Sequence, residues 1–153
     1  MNIEITWLRA YVEKLLRESG LEGVEADHDG DYPFRWGTAA CWVRVQERPF
    51  ARVEVFAHVV HNVRSSARLL REINDANRRA VGGQVYEWDG TVLAAQSVHA
   101  HGLQSDTLVQ ACVGVGTIAD DLGALLAAMF DGQTPYPPEP VAFEPPSIDA
   151  EGA

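Results

Sequence analysis

Two runs of strict alternation, separated by a short turn, constrain this chain more than any other feature in it. Cys41, Val43 and Val45 alternate with Trp42, Arg44 and Gln46, and Ala51, Val53, Val55, Ala57 and Val59 alternate with Arg52, Glu54, Phe56 and His58. Period-two burial with a single apolar face describes half-buried antiparallel strands. The turn Arg48-Pro49-Phe50 joins them, with the proline outside the ladder. The two apolar sets must share a face, which leaves few registers. One of them opposes Arg44 to Arg52, a like-charge pair. The neighbouring register, with a three-residue loop, puts Arg44 opposite Glu54 and Trp42 opposite Phe56 and is preferred.

A sheet with one apolar face needs helices to cover it, and the flanking sequence supplies three. Leu8, Val12, Leu15 and Leu16 form a 3.6-period stripe over about Ile5–Ser19, stopped by Gly20. An acidic loop to Asp31 and a first strand, Tyr32–Trp36, follow. Ser65 or Ser66 caps a second helix ending at Ala80, with Leu69, Leu70, Ile73, Ala76, Asn77 and Ala80 inward and an almost wholly charged outer face. The Asn77 amide, polar on that inner stripe, is expected to satisfy backbone groups of the Gly82-Gly83 connection. Gln84–Trp88 and Thr91–Ala100 flank Asp89-Gly90, a type I′ hairpin signal. The last helix runs from Ser105-Asp106 to Asp131-Gly132. Its glycines, Gly114, Gly116 and Gly123, require either close backbone packing or a break near Gly114–Gly116. Ile118 and Leu125 broaden its apolar stripe, so that flank needs cover from the first helix, a dimer partner or a client. The fold class is α+β, in the order α-βββ-α-ββ-α, with a twisted antiparallel sheet and helices packed on it.

The domain is expected to span residues 1–132. Residues 133–153, with six prolines, four acids and no base, read as a disordered or extended tail. Its Pro137-Pro138-Glu139-Pro140 stretch has the composition of a polyproline ligand. A net charge of −10 disfavours nucleic acid and anionic membranes as partners and permits a basic or amphipathic peptide. Neither a signal peptide nor a membrane-length apolar run is apparent, so a soluble cytoplasmic protein is expected. Cys41 and Cys112 sit in apolar runs; two buried thiols or one disulfide would satisfy them.

Chemistry-bearing motifs are sparse. Asp27, Asp29 and Asp31 alternate as in a calcium loop, but Thr38 stands where the closing Glu belongs. His99 and His101 share a face if the strand continues, whereas His58 and His61 point apart unless theirs bends. No nucleophile elbow or phosphate-binding glycine loop is present, and Asp120-Asp121 read as a solvated pair. No catalytic residue, metal site or cofactor is indicated. Aromatic residues in the strands remain, several of them off the core face. They either pack under a helix or line a groove for a peptide.

The element order, together with Leu69-Leu70-x-x-Ile73-Asn74-x-x-Asn77, the Gly-containing break and Val85-Tyr86 before Asp-Gly, resembles the type III secretion chaperone-like and YbjN-like proteins. Gly102-Leu103-x-Ser105 before the last helix adds to the similarity, which covers about Ile5–Gly132. Tyr32-Pro33-Phe34-Arg35-Trp36-Gly37 is most similar to the actinobacterial peptide-binding branch. The resemblance implies a non-enzymatic chaperone or adaptor, often dimeric, holding a client protein or peptide. The charged outer face of the second helix departs from dimers formed through that helix. The peptide-binding candidates are Trp42, Arg44, Phe56, Trp88, Ile118 and Leu125. A regulatory or structural subunit docking a folded partner is the alternative.

Overall fold

The computed structural model describes residues 3–20 and 23–138. Helix α1 (Ile3–Glu18) leads to strands β1 (Tyr32–Trp36), β2 (Ala39–Gln46) and β3 (Arg52–Val60). Helix α2 (Ala67–Arg79), strands β4 (Gln84–Trp88) and β5 (Thr91–His99), a short 3-10 turn and helix α3 (Ser105–Phe130) complete the order. The five strands form one antiparallel sheet, β1-β2-β3-β5-β4. The expected α+β architecture is therefore the observed one.

The preferred register is found as well. Arg44 lies opposite Glu54 and Trp42 opposite Phe56, although the ladder closes at Gln46–Arg52, making the connection longer than the three residues expected. Asp89 (φ 50°) and Gly90 (φ 82°) both take the left-handed conformation that a type I′ turn demands. Ser66 is the α2 cap, accepting from the Leu69 N–H at 3.1 Å. For α3 the cap is Gln104, paired with Thr107 in a capping box, one residue earlier than expected.

The core occupies one side of the sheet. Leu8, Val12, Leu15 and Leu16 of α1 and Leu108, Val115, Ala119 and Leu126 of α3 meet Cys41, Val43, Val53, Val55 and Ala57 there. Helix α3 is continuous, and its glycines are seats for neighbours. The Trp36 indole fills the space a side chain at Gly116 would need, while Gly123 faces Thr38, Thr134 and the Val59 carbonyl. Helix α3 is also long and apolar enough to cross a membrane by composition, a test that core helices pass. Its buried stripe lies on the sheet. Asp120 is not a bystander either: its Oδ1 accepts from the Thr38 N–H (2.8 Å) and hydroxyl (3.0 Å), pinning the β1–β2 turn to α3.

Three expectations change. Helix α1 lies beside the Leu108–Val113 flank of α3, with which Leu16 and Ser19 share a groove, so it does not cover Ile118. Ile118 instead meets the α2–β4 connection at Gly83, and Leu125 stays 48% exposed. Asn77, expected to serve Gly82-Gly83 from the inner stripe, is exposed and bonds Val85. Finally, residues placed in the tail are docked. The Gln133 backbone exchanges hydrogen bonds with His61, the Tyr136 N–H donates to the Thr38 carbonyl, and Arg35 donates to the Pro137 carbonyl. The remainder of the tail, from Glu139, lies outside the described residues.

Cys41 and Cys112 are free, buried thiols. Burial pushes each up to about 12, and Cys112 adds to the effect at Cys41.

Candidate functional site

Antiparallel pairing carries each side-chain face across the whole sheet, so the register itself assembles the surface opposite the core. One row joins Trp42, Phe56, Ala95 and Gln84; the next joins Ala40, His58, Leu93 and Tyr86; a third joins Arg44, Glu54 and Ser97. None of these side chains belongs to the cluster beneath the helices, and no helix among the described residues covers them.

On this face the aromatic groups form a continuous strip. Trp42 stacks on Phe56 at 5.2 Å between ring centroids and tilts against His58 at 4.7 Å. His58 meets the edge of His61 at 5.1 Å, and His61 Nδ1 lies 3.2 Å from the Thr91 hydroxyl. At the other end the Arg44 guanidinium lies 4.5 Å over the Phe56 ring. Phe56 is only 8% exposed, although no helix covers it, because its neighbours lie flat across it. Tyr86 and Trp88 extend the surface along β4, and Trp88 is 75% exposed. An exposed tryptophan beside an aromatic strip has the composition of a recognition surface.

A β-bulge builds half of this strip. The β3–β5 register shifts between His58 and Val60, so Val59 and Val60 are both buried. The extra residue brings His61 round to contact His58, which a straight strand would have pointed the other way. The other histidine pair is not assembled: β5 ends at His99, which stacks on Phe50 at 4.2 Å, and His101 lies in the following 3-10 turn.

Electrostatically the strip is quiet. Burial, with His61 close by, lowers the His58 pKa below its usual value, which favours the neutral ring. Arg44 is held by Asp31, itself 5% exposed, through Nη2–Oδ2 at 2.7 Å and Nε–Oδ1 at 3.0 Å. That ion pair raises the Arg44 pKa further and turns Asp31 away from any calcium-type cluster. Asp27 Oδ1 accepts from the Asp29 and Asp31 N–H groups, so the acidic alternation builds a turn.

The outer edges of the sheet are less available than its face. The N–H and C=O of Val85 on β4 are both taken by the Asn77 amide, at 2.7 and 2.8 Å. Strand β1 carries Pro33, which has no N–H to offer. Beside the face, a groove of about 870 Å³ lies between Trp7 and Tyr11 of α1 and Phe50, His99 and Leu103.

The six sequence candidates divide in two. Trp42, Arg44, Phe56 and Trp88 come together on the uncovered face. Ile118 and Leu125 lie on α3, on the opposite side of the sheet. Sequence reasoning missed His61, whose placement depends on the bulge, and Tyr86, whose alternation with Val85 could have revealed it.

A family model described as T3SS (YopN, CesT) and YbjN peptide-binding chaperone 1 matches residues 6–138. Among solved structures, a chain of the ExsC–ExsE complex superposes with a TM-score of 0.62 at 16% identity, covering 82% of this chain and 97% of the other. A chain of the HopA1–SchA chaperone–effector complex gives 0.62 at 14% identity, covering 79% and 96%. At these identities the likeness is one of fold. No curated protein matches the sequence.

Proposed function

The chain belongs to the family of T3SS and YbjN peptide-binding chaperones, and from that premise we propose that it holds a segment of a client protein against the helix-free face of its sheet. The observation that carries this reading is the aromatic strip Phe56–Trp42–His58–His61, flanked by exposed Tyr86 and Trp88, on a face left open by all three helices. Preformed aromatic surface suits a chaperone because rings bury large area with few rotamers to freeze. The role is binding rather than catalysis, and the work of the site is to keep apolar client residues out of water. The fold likeness to chains from the ExsC–ExsE and HopA1–SchA complexes supports the same reading.

Site-specific photocrosslinking tests it. A photoreactive phenylalanine replaces Trp42, Tyr86 or, as a control on α3, Leu125, in the protein expressed in its native cell. Crosslinks from positions 42 and 86 that map by mass spectrometry to one contiguous client segment are expected, with none from 125. Crosslinks from 125 alone would move the site to α3. Crosslinks scattered over a folded partner's surface would favour a docking subunit instead.

A further inference from the structure

The charge on the uncovered face does not match the charge of the chain. Register and contacts place Arg35, Arg44 and Arg52 there with Asp31, Glu54 and, beside Arg44, Asp29, three guanidinium groups against three carboxylates. The face is balanced, so the whole −10 of the chain is carried outside it. Screening confines the influence of exposed charges to about 8 Å at physiological salt, so a bound segment responds to this face rather than to the net charge.

The positions of these charges matter more than their sum. Arg44 is committed to Asp31 and lies over Phe56, so it belongs to the strip. Arg35 and Arg52 stand at its two ends, and their partners are neutral: Arg35 donates to the Gly37 and Pro137 carbonyls and lies over the Tyr136 ring, and Arg52 donates to the Arg48 carbonyl. Arg35 pairs with Ala40, which lies opposite His58, and Arg52 lies six residues before His58 on β3. At about 3.3 Å per residue those rows are roughly 20 Å apart along the strands. Between them lie Trp42 and Phe56, with His58 in the row of Arg35. Beyond Arg52, the stacked Phe50–His99 pair leads into the groove beside Trp7.

Resting on the reading of this face as the client site, we propose that the client is an extended segment with an apolar centre and a carboxylate towards each end, about six residues apart. A basic segment, which the net charge alone would permit, is disfavoured here. Its ends would meet Arg35 and Arg52, and Glu54, in the row between Phe56 and Arg52, already faces Arg44.

A displayed library of random 12-residue peptides selected on the full-length protein is the probe. Enrichment of Asp or Glu about six positions apart around aromatic or aliphatic residues is expected, with Lys and Arg depleted. The best peptide is then remade with both acids changed to Lys, and each version is measured on wild type and Arg52→Glu. Exposed pairs of this kind are worth little individually, so the Lys version should bind wild type on the order of 5-fold more weakly, and Arg52→Glu should reverse part of that difference. Selection of Lys- or Arg-rich peptides, or indifference to Arg52→Glu, overturns the charge proposal while leaving the site intact. Selected peptides that bind Tyr86→Ser and Trp42→Ser as well as wild type overturn the site itself, as does a selection that enriches nothing.

Discussion

Replacing Asn77 by alanine and by aspartate tests whether one side chain secures the β4 edge. The amide accepts from the Val85 N–H at 2.7 Å and donates to the Val85 carbonyl at 2.8 Å, standing in for a missing neighbouring strand. Each hydrogen bond is worth about 1 kcal/mol net. Val85 is buried but Asn77 is exposed, so water restores part of that loss, and alanine regains about 0.5 kcal/mol of helix propensity. Asn77→Ala should therefore lower stability by about 1 kcal/mol. Asn77→Asp still accepts from the Val85 N–H but turns a carboxylate oxygen towards the carbonyl. It also adds negative charge to the last turn of α2, beside unpaired helix carbonyls. Its loss should be larger, about 2 kcal/mol, once the buried carbonyl has lost its donor. Urea unfolding followed by circular dichroism, with the slope held common, gives both values. Wild-type stability in the aspartate variant, or an aspartate variant more stable than the alanine one, would refute the reasoning.

Three other outcomes are expected. Gly116→Val should destabilise by roughly 1–3 kcal/mol, because the Trp36 indole must leave its seat; Trp36 fluorescence should redden in step with the fall in the melting temperature. Cys41 and Cys112, raised to about 12, should resist alkylation at pH 8 until denaturant is added. Stability should fall as pH rises above about 9, where an unfolded thiol ionises and the native one does not. Replacing both cysteines with alanine should flatten that decline, as read from melting curves between pH 8 and 11. Leu125→Glu should leave the melting temperature within the scatter of surface substitutions, about 0.5 kcal/mol, because the side chain is half exposed; unfolding would show it to be core.

What was legible in the sequence follows from range. The β2–β3 register could be read because Arg44, Glu54 and Arg52 lie on adjacent strands, where like charges exclude one pairing. The hairpin could be read because Asp89-Gly90 fixes its own backbone. The placement of Trp42 and Phe56 away from the core followed from simple alternation. Contacts between elements distant in the chain were not legible. Nothing near Asp120 announces that Thr38 will bond to it, and nothing near Gly116 names Trp36 as its occupant. For Asn77 the need for a backbone partner was readable, but its identity was not, because the course of the Gly82-Gly83 connection decides which residue of β4 arrives beside it. The place of His61 hung on whether its strand bends, which period-two reasoning does not decide.

That break has a consequence for which substitutions β3 can accept. Up to Val59 the apolar requirement falls on odd-numbered positions, Val53, Val55, Ala57 and Val59; at the strand's last residue it changes parity, since Val60 is buried in turn and His61 contacts His58. A saturation library across β3 should record this as a single phase slip, with two adjacent intolerant positions between two permissive histidines. Removing one of the two valines would restore the even rhythm, but every later residue would move back by one place. Gln133, whose backbone is matched to His61, would then face the wrong partner. The extra residue thus acts as a spacer that lets one strand serve the core and the opposite surface, with the chain's return past α3 cut to the same length.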